Sequence, residues 1–446
     1  MDASDRWLWA WGLGYASIGA ASLLLPLYAI ELGADALLVG LMASTAAFAG
    51  IPGALAWGKL AGRTDRRRIF VCVALGSTAA VLAVVPLLDA PWHLLVANAA
   101  VWFFVAAAAP VLTLIVVDGA PASGWERRIG LLNHYQGYGW LLGLVAGAIW
   151  TGVTAPLVVT VTAQRLFFVL MALGAVVALA LTLRWFPERQ TLSSDRFRRL
   201  SRRIGRVGWG AGSYVRTVPF GPTRVYWALT AFDLRRLPSR VGTRSPLWGY
   251  LGAATLFFVG FSIFFGPLPA YLAGIGLGSD AIFVVFVCSS AGSAVCFARV
   301  GRVAERVNPL SLQSGSLVVR ALAFPLVAVV GVVTIAPVST AAIGLLVFLV
   351  GVTWAVIAVT ATGMVTRLAP VTRRGDALGA YAAVGSLGGG VGSALGGWLA
   401  TVFGFTYAFV VAAVVVLLGA GLTIATVRVA TGTVGDHSVL AEARND

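Results

Sequence analysis

The chain has 446 residues, 59% hydrophobic and 11% charged, with a formal net charge of +15. Charge this sparse in a chain this long excludes a water-soluble globular protein and puts most of the sequence in lipid. The positive charge does not point to nucleic acid, because the basic residues are divided among the gaps between apolar runs.

A bilayer crossing needs roughly 20 apolar residues. Twelve such runs are predicted, at 7–30, 37–58, 69–88, 92–117, 128–151, 163–186, 247–273, 280–299, 310–335, 338–362, 375–403 and 406–428. Each is expected to be helical, since backbone in lipid must satisfy its own hydrogen bonds. The first run, Trp7 to Ile30, is long enough to span and has no signal-peptide n-region before it, so it reads as a membrane helix.

Every second gap, counted from the N-terminus, collects 30 of the 32 Lys and Arg residues. Five lie after the second run and fourteen in the central gap. Arg165 sits in an opposite gap, and Arg320 lies inside the ninth run. Positive residues stay inside, so both termini are expected to be cytoplasmic and the protein to be a multi-pass component of the cytoplasmic membrane.

The expected organisation is a six-helix half over 1–186, a basic cytoplasmic linker over 187–246, a second six-helix half over 247–428 and a cytoplasmic tail over 429–446. In the linker, Phe197, Leu200, Ile204 and Val207 recur at helical spacing opposite Arg198, Arg199, Arg202, Arg203 and Arg206. An amphipathic helix on the inner leaflet and a disordered basic linker are both open, because Gly205, Gly208, Gly210 and Gly212 weaken a helix. The tail, from about Ala430, reads as disordered.

The two halves are copies. At an offset of 243, Pro26 pairs with Pro269, Tyr28 with Tyr271, Gly33 with Gly276, Gly58 with Gly301 and Arg63 with Arg306. Farther on, at 246, Arg127 and Arg128 pair with Arg373 and Arg374. Parallel repeats of this kind place a shared cavity at mid-membrane between the halves.

The turn after the second run reads Gly58-Lys-Leu-Ala-Gly-Arg63-Thr-Asp65-Arg66-Arg67-Arg68, with a degenerate copy at Gly301-Arg-Val-Ala-Glu305-Arg306. With the repeat and the long central loop, this resembles the major facilitator superfamily of secondary transporters over roughly Trp7 to Arg428. Gly58, Arg63, Arg66 and Arg67 match the family's signature. Gly62 stands where an Asp is expected, leaving Asp65 as the candidate acid. In the family such charges latch the cytoplasmic ends in one of two packings; topology alone is the competing reading of the arginines.

The family's fourth-span signature is matched by Pro110 and Asp118. Asn98 replaces its arginine and Trp102 a glycine. That arginine is associated with proton coupling, so its absence weighs against a proton-driven mechanism. Of the antiporter branch's glycine-rich signature, Gly139, Gly143 and Gly147 and the run Gly388–Gly397 remain, which ordinary helix packing also explains.

Charge inside a membrane costs about 2.5–3.5 kcal/mol or more per residue. Arg320 therefore reads either as a substrate or counter-ion contact or as a structural arginine on backbone carbonyls. Asp118 is a candidate gate residue at a span end. Asn133, His134, Tyr135 and Gln136 open the fifth run and cover every helix face; His134 and Gln136 are cavity or coupling candidates, with a solvated interfacial histidine as the alternative for His134. Tyr28, Tyr271, Asn98, Trp102 and Trp354 complete the candidate lining. For both tyrosines, interfacial anchoring competes.

The resemblance implies an alternating-access carrier for a small molecule, with a coupled proton or cation, working as a monomer. The charge-poor, aromatic interior favours export of amphipathic or hydrophobic compounds over uptake of a polar solute. Scattered histidines and three cysteines provide neither catalytic cluster nor metal cage, and no ATP-binding motif is present. No enzyme activity, metal or cofactor is expected. The competing class is a non-transporting sensor or scaffold working through the central loop.

Overall fold

The computed structural model describes residues 6–61, 63–64, 66, 68–117, 125–186, 245–333, 336–370 and 373–442. The linker helix proposed near 197–207 lies outside the described residues, as do Asp65, Arg67 and Asp118. Every regular element among the described residues is helical.

The first half contains α1 (Trp7–Glu31), α2 (Ala36–Phe48), α3 (Gly50–Ala61), α4 (Arg68–Val84), α5 (Pro91–Val105), α6 (Ala109–Val117), α7 (Trp125–Thr154) and α8 (Thr160–Trp185). The second contains α9 (Pro246–Phe265), α10 (Leu268–Gly274), α11 (Ser279–Arg306), α12 (Pro309–Val333), α13 (Ala336–Leu368), α14 (Arg374–Phe403) and α15 (Phe405–Glu442). Among the described residues, ten helices, some in two pieces, are long and apolar enough to cross a membrane. The other two expected crossings are the interrupted α5–α6 pair and the polar-rich α7.

Three interruptions have a proline as their cause. Pro52, Pro110 and Pro267 carry no N–H, so the carbonyls of Phe48, Ala106 and Ile263 lose their ordinary partners. The chain breaks at Ala49, at Ala106–Ala108 and at Gly266–Pro267. Pro26 and Pro325 are carried inside continuous helices. The tail expected to be disordered continues α15 to Glu442, because no proline after Arg428 interrupts the hydrogen-bond ladder.

The repeat is visible in the backbone. Gly33 and Gly276 end equivalent helices with φ of 90° and 86°, a left-handed turn open to glycine. The amides of Gly33 and Ala34 donate to the carbonyls of Ile30 and Ala29; those of Gly276 and Leu277 donate to Ala273 and Leu272.

Within the first half, Gly139 and Gly143 press α7 against the α1 backbone at Gly12 and Ala16, where a Cβ would collide. Between halves, α2 meets α14 and α7 meets α11. Gly40 lies against Gly397 and Ser393, the Ser44 hydroxyl donates to Gly390 O at 2.7 Å, and Leu37 N donates to Thr401 Oγ1 at 2.9 Å. Gln164 Nε2 donates to Ser279 Oγ at 3.1 Å beside the Phe167–Phe283 ring pair. The contacts between halves lie in the portion of the bundle remote from the Arg63–Arg66 turn. At the arginine-rich end, α3 and α6 pack chiefly on their own half. Among the described residues, the halves are thus joined chiefly at the far end, through α2 with α14 and α7 with α11.

Candidate functional site

The candidate site lies inside the second half, between α9 and α13. Helices α9 and α13 meet at few points, because α9 is held by α14 and α15 while α13 is held by α11 and α12. Aromatic side chains fill the space between them. Phe258 and Phe261 of α9 each lie 6.3 Å from Trp354 of α13, and Tyr381 of α14 lies 5.5 Å from Phe258. The spacing of Phe257, Phe258, Phe261 and Phe264 along one helix was the available sequence signal for this wall.

Arg320 reaches into this wall from α12. It is the twelfth of that helix's 25 residues and only 2% exposed. Its Nη2 donates to Val350 O at 2.5 Å and its Nε to Thr353 Oγ1 at 3.2 Å. Its guanidinium carbon lies 4.2 Å from the Phe261 ring centre and 5.7 Å from that of Trp354. One helical face below, Gln313 Nε2 donates to the Tyr250 hydroxyl at 2.8 Å. A backbone-carbonyl bond of the kind the structural alternative called for is present, together with two cation–π contacts, to nearly perpendicular rings, that the sequence did not disclose.

The first half carries a corresponding aromatic run. Trp102 of α5 lies 6.5 Å from Trp140 of α7, which lies 6.1 Å from Tyr15 of α1. Asn98 does not join it: its amide nitrogen is committed to α2, donating to Met42 O at 2.8 Å and Thr45 Oγ1 at 2.7 Å. Gln136 is buried, whereas His134 is exposed and stands edge-on to Tyr138 at 4.2 Å.

The paired tyrosines sit near the far end, away from the aromatic walls. The Tyr28 hydroxyl donates to Leu88 O at 3.2 Å and accepts from Arg165 Nε at 2.8 Å. Arg165 Nη2 also pairs with Asp89 at 2.5 Å. The Tyr271 hydroxyl lies 2.9 Å from Ala328 O and 3.2 Å from Val327 O. Each hydroxyl therefore ties the first helix of its half to the third crossing or its end. Arg165, passed over as a site residue because it lies alone in its gap, is the central group of the first tie.

At the basic end, Gly58 is buried in α3, while Arg63, Arg66 and Arg306 are exposed. Gly301 and Glu305 fall in the last turns of α11. The Arg68 guanidinium bonds Leu183 O, linking α4 to α8. Arg128 and Arg374 each bond a carbonyl ending the preceding crossing, Val116 O at 3.1 Å and Thr366 O at 3.0 Å. Among the described residues, no cluster of three His, Cys, Asp or Glu side chains could hold a metal.

The family model for the Major Facilitator Superfamily matches residues 9–393 and 345–438. The chain belongs to the major facilitator superfamily. It is a multi-pass membrane transporter of the secondary class and not an enzyme. Solved structures of superfamily transporters share its fold. A bacterial homologue of the human lysosomal transporter Spinster, inward-facing and occupied, aligns with a TM-score of 0.68 and 15% identity, covering 94% of this chain and 96% of that one. The nucleoside transporter NupG aligns at 0.66 and 12% identity, over 96% and 99%. A POT family transporter in complex with a thioalcohol-conjugated peptide aligns at 0.66 and 14%, over 95% of each. Among curated proteins, no sequence match is significant.

Proposed function

We propose that this superfamily member exports amphipathic or hydrophobic small molecules across the cytoplasmic membrane by alternating access. The observation that carries the reading is the junction of the halves, among the described residues, far from the basic turns, with charge-poor aromatic clusters inside each half. With the arginine-rich end in the cytoplasm, as the positive-inside rule directs, this is an inward-facing carrier ready to load from the cell interior. The far-end contacts are then the closed outer gate. Among the sequence candidates, Trp102 and Trp354 serve as lining, Arg320 as a substrate contact, and the Gly58–Arg67 and Gly301–Arg306 turns as parts of the cytoplasmic gate. His134, exposed on the basic-end portion of α7, is the group proposed to take a coupled proton. The carrier works as a monomer.

Proteoliposome flux tests the reading. An imposed proton or cation gradient should drive a lipophilic dye from the side facing the basic end. Gradient-driven accumulation of nucleosides or peptides from the opposite side, with no dye movement, would replace export with uptake of a polar solute.

A further inference from the structure

We infer that the preferred substrate is an organic monoanion, and that Arg320, in contact with the Phe261 and Trp354 rings where α9 and α13 meet, is the cation that selects it. This deepens the transport reading and rests on it for every step after binding.

The argument begins with charge balance. Among the described residues, Arg320 is the one charged residue in the central third of any crossing. Between residues 246 and 428 the sequence has three acids, Asp280, Glu305 and Asp376. Asp280 and Asp376 lie in the first turns of α11 and α14, and Glu305 lies in the last turn of α11. Of the acids of the first half, Asp2 and Asp5 precede α1 in the sequence, and Glu31, Asp35, Asp65, Asp89, Asp118 and Glu126 fall at helix ends or in the gaps between helices. Among the described residues, no carboxylate is placed to neutralise the guanidinium at mid-depth.

The groups that do touch it are neutral. Val350 O and Thr353 Oγ1 occupy Nη2 and Nε, and the Phe261 and Trp354 faces lend only quadrupole attraction. These contacts hold the side chain in one orientation without cancelling its charge. Nη1 is the remaining donor nitrogen. A buried cation paired with neutral dipoles still gains from an incoming anion, because charge-assisted bonds are about twice as strong as neutral ones and strengthen in low dielectric. The aromatic walls meanwhile accept an apolar body. A neutral ligand gains only the second term, and a cationic one meets repulsion.

Equilibrium binding to the full-length protein in nanodiscs tests this. The probes are 5-phenylvalerate, its primary amide, the corresponding phenylalkylammonium and sodium chloride. The carboxylate is expected to bind about tenfold more tightly than the amide, and the ammonium more weakly than either. Arg320→Gln should reduce the carboxylate–amide difference to about threefold or less, whatever its effect on amide binding itself, while Arg320→Lys, which keeps the charge but not the planar fork, should retain a difference above about threefold. Equal binding of carboxylate and amide by the wild-type protein overturns the inference, as does an undiminished preference in Arg320→Gln. Chloride displacing the carboxylate at equal concentration also overturns it, assigning Arg320 to an inorganic anion. Should Arg320→Gln fail to fold, the wild-type comparison and Arg320→Lys decide. The transport reading fails separately: a protein that prefers the carboxylate but moves nothing in vesicles keeps this inference and loses that one.

Discussion

Arg128 and Arg374, separated by 246 positions, make the same bond: each Nε donates to a carbonyl at the end of the preceding crossing, Val116 O and Thr366 O. A cation at a helix C-terminus both satisfies an orphan carbonyl and opposes the negative end of the helix dipole. Arg128→Ala or Arg374→Ala should therefore loosen the basic-end turns of α6 or α13 by about 0.3–1 kcal/mol. Hydrogen exchange in those turns should quicken by a few-fold, with the far-end turns unchanged.

Tyr28 and Tyr271 provide a second paired test. Tyr28→Phe removes the bonds to Leu88 O and Arg165, and Tyr271→Phe those to Val327 O and Ala328 O. Each should cost about 1–2 kcal/mol of thermal stability, since buried carbonyls lose a donor. Asp89→Asn should change stability far less, because the Asp89 side chain is 79% exposed and its ion pair with Arg165 is screened by solvent. Melting curves of the three variants check the order.

Glycines inside a half and between halves should behave differently. Gly143→Leu forces a side chain into the α1 backbone at Ala16, a contact the half needs in order to fold. Its yield and melting temperature should fall sharply.

Gly40→Leu places the same bulk against Gly397 and Ser393, across the seam between halves. Here the halves can separate without unfolding. The expected result is a wider distance between spin labels at the exposed far-end residues Val158 and Tyr407, with little change in melting temperature. Ser44→Ala, which loses the bond to Gly390 O, should shift the same distribution more weakly, by about 1 kcal/mol.

The crossings and the repeat were legible because they rest on local composition. Apolar length marked the helices, and the pairing of Gly33 with Gly276 in the repeat corresponds to matched left-handed turns in the backbone. The interruptions were only half legible. Pro52, Pro110 and Pro267 were visible, but so were Pro26 and Pro325, which do not break their helices. The tail was misread because its small and polar residues looked structureless, although nothing in them stops a helix already running from Phe405. Side-chain partners were least legible. Asn98 was a lining candidate by motif position and proves to be bonded to α2, and Arg165 looked incidental until Tyr28 was seen beside it. Such pairings depend on contacts between residues more than 50 positions apart, which spacing along one helix does not encode.

The solitary charge of Arg320 has an electrical consequence. In an alternating-access cycle the voltage drop falls across whichever end is closed, so a fixed charge at mid-depth is exposed to a different share of the field in each state. A unit charge traversing the whole field is worth about 2.3 kcal/mol per 100 mV. The unloaded carrier would carry that charge bare, so its reorientation would depend on membrane potential. A carrier loaded with a monoanion would be compensated at that depth and would reorient almost independently of voltage.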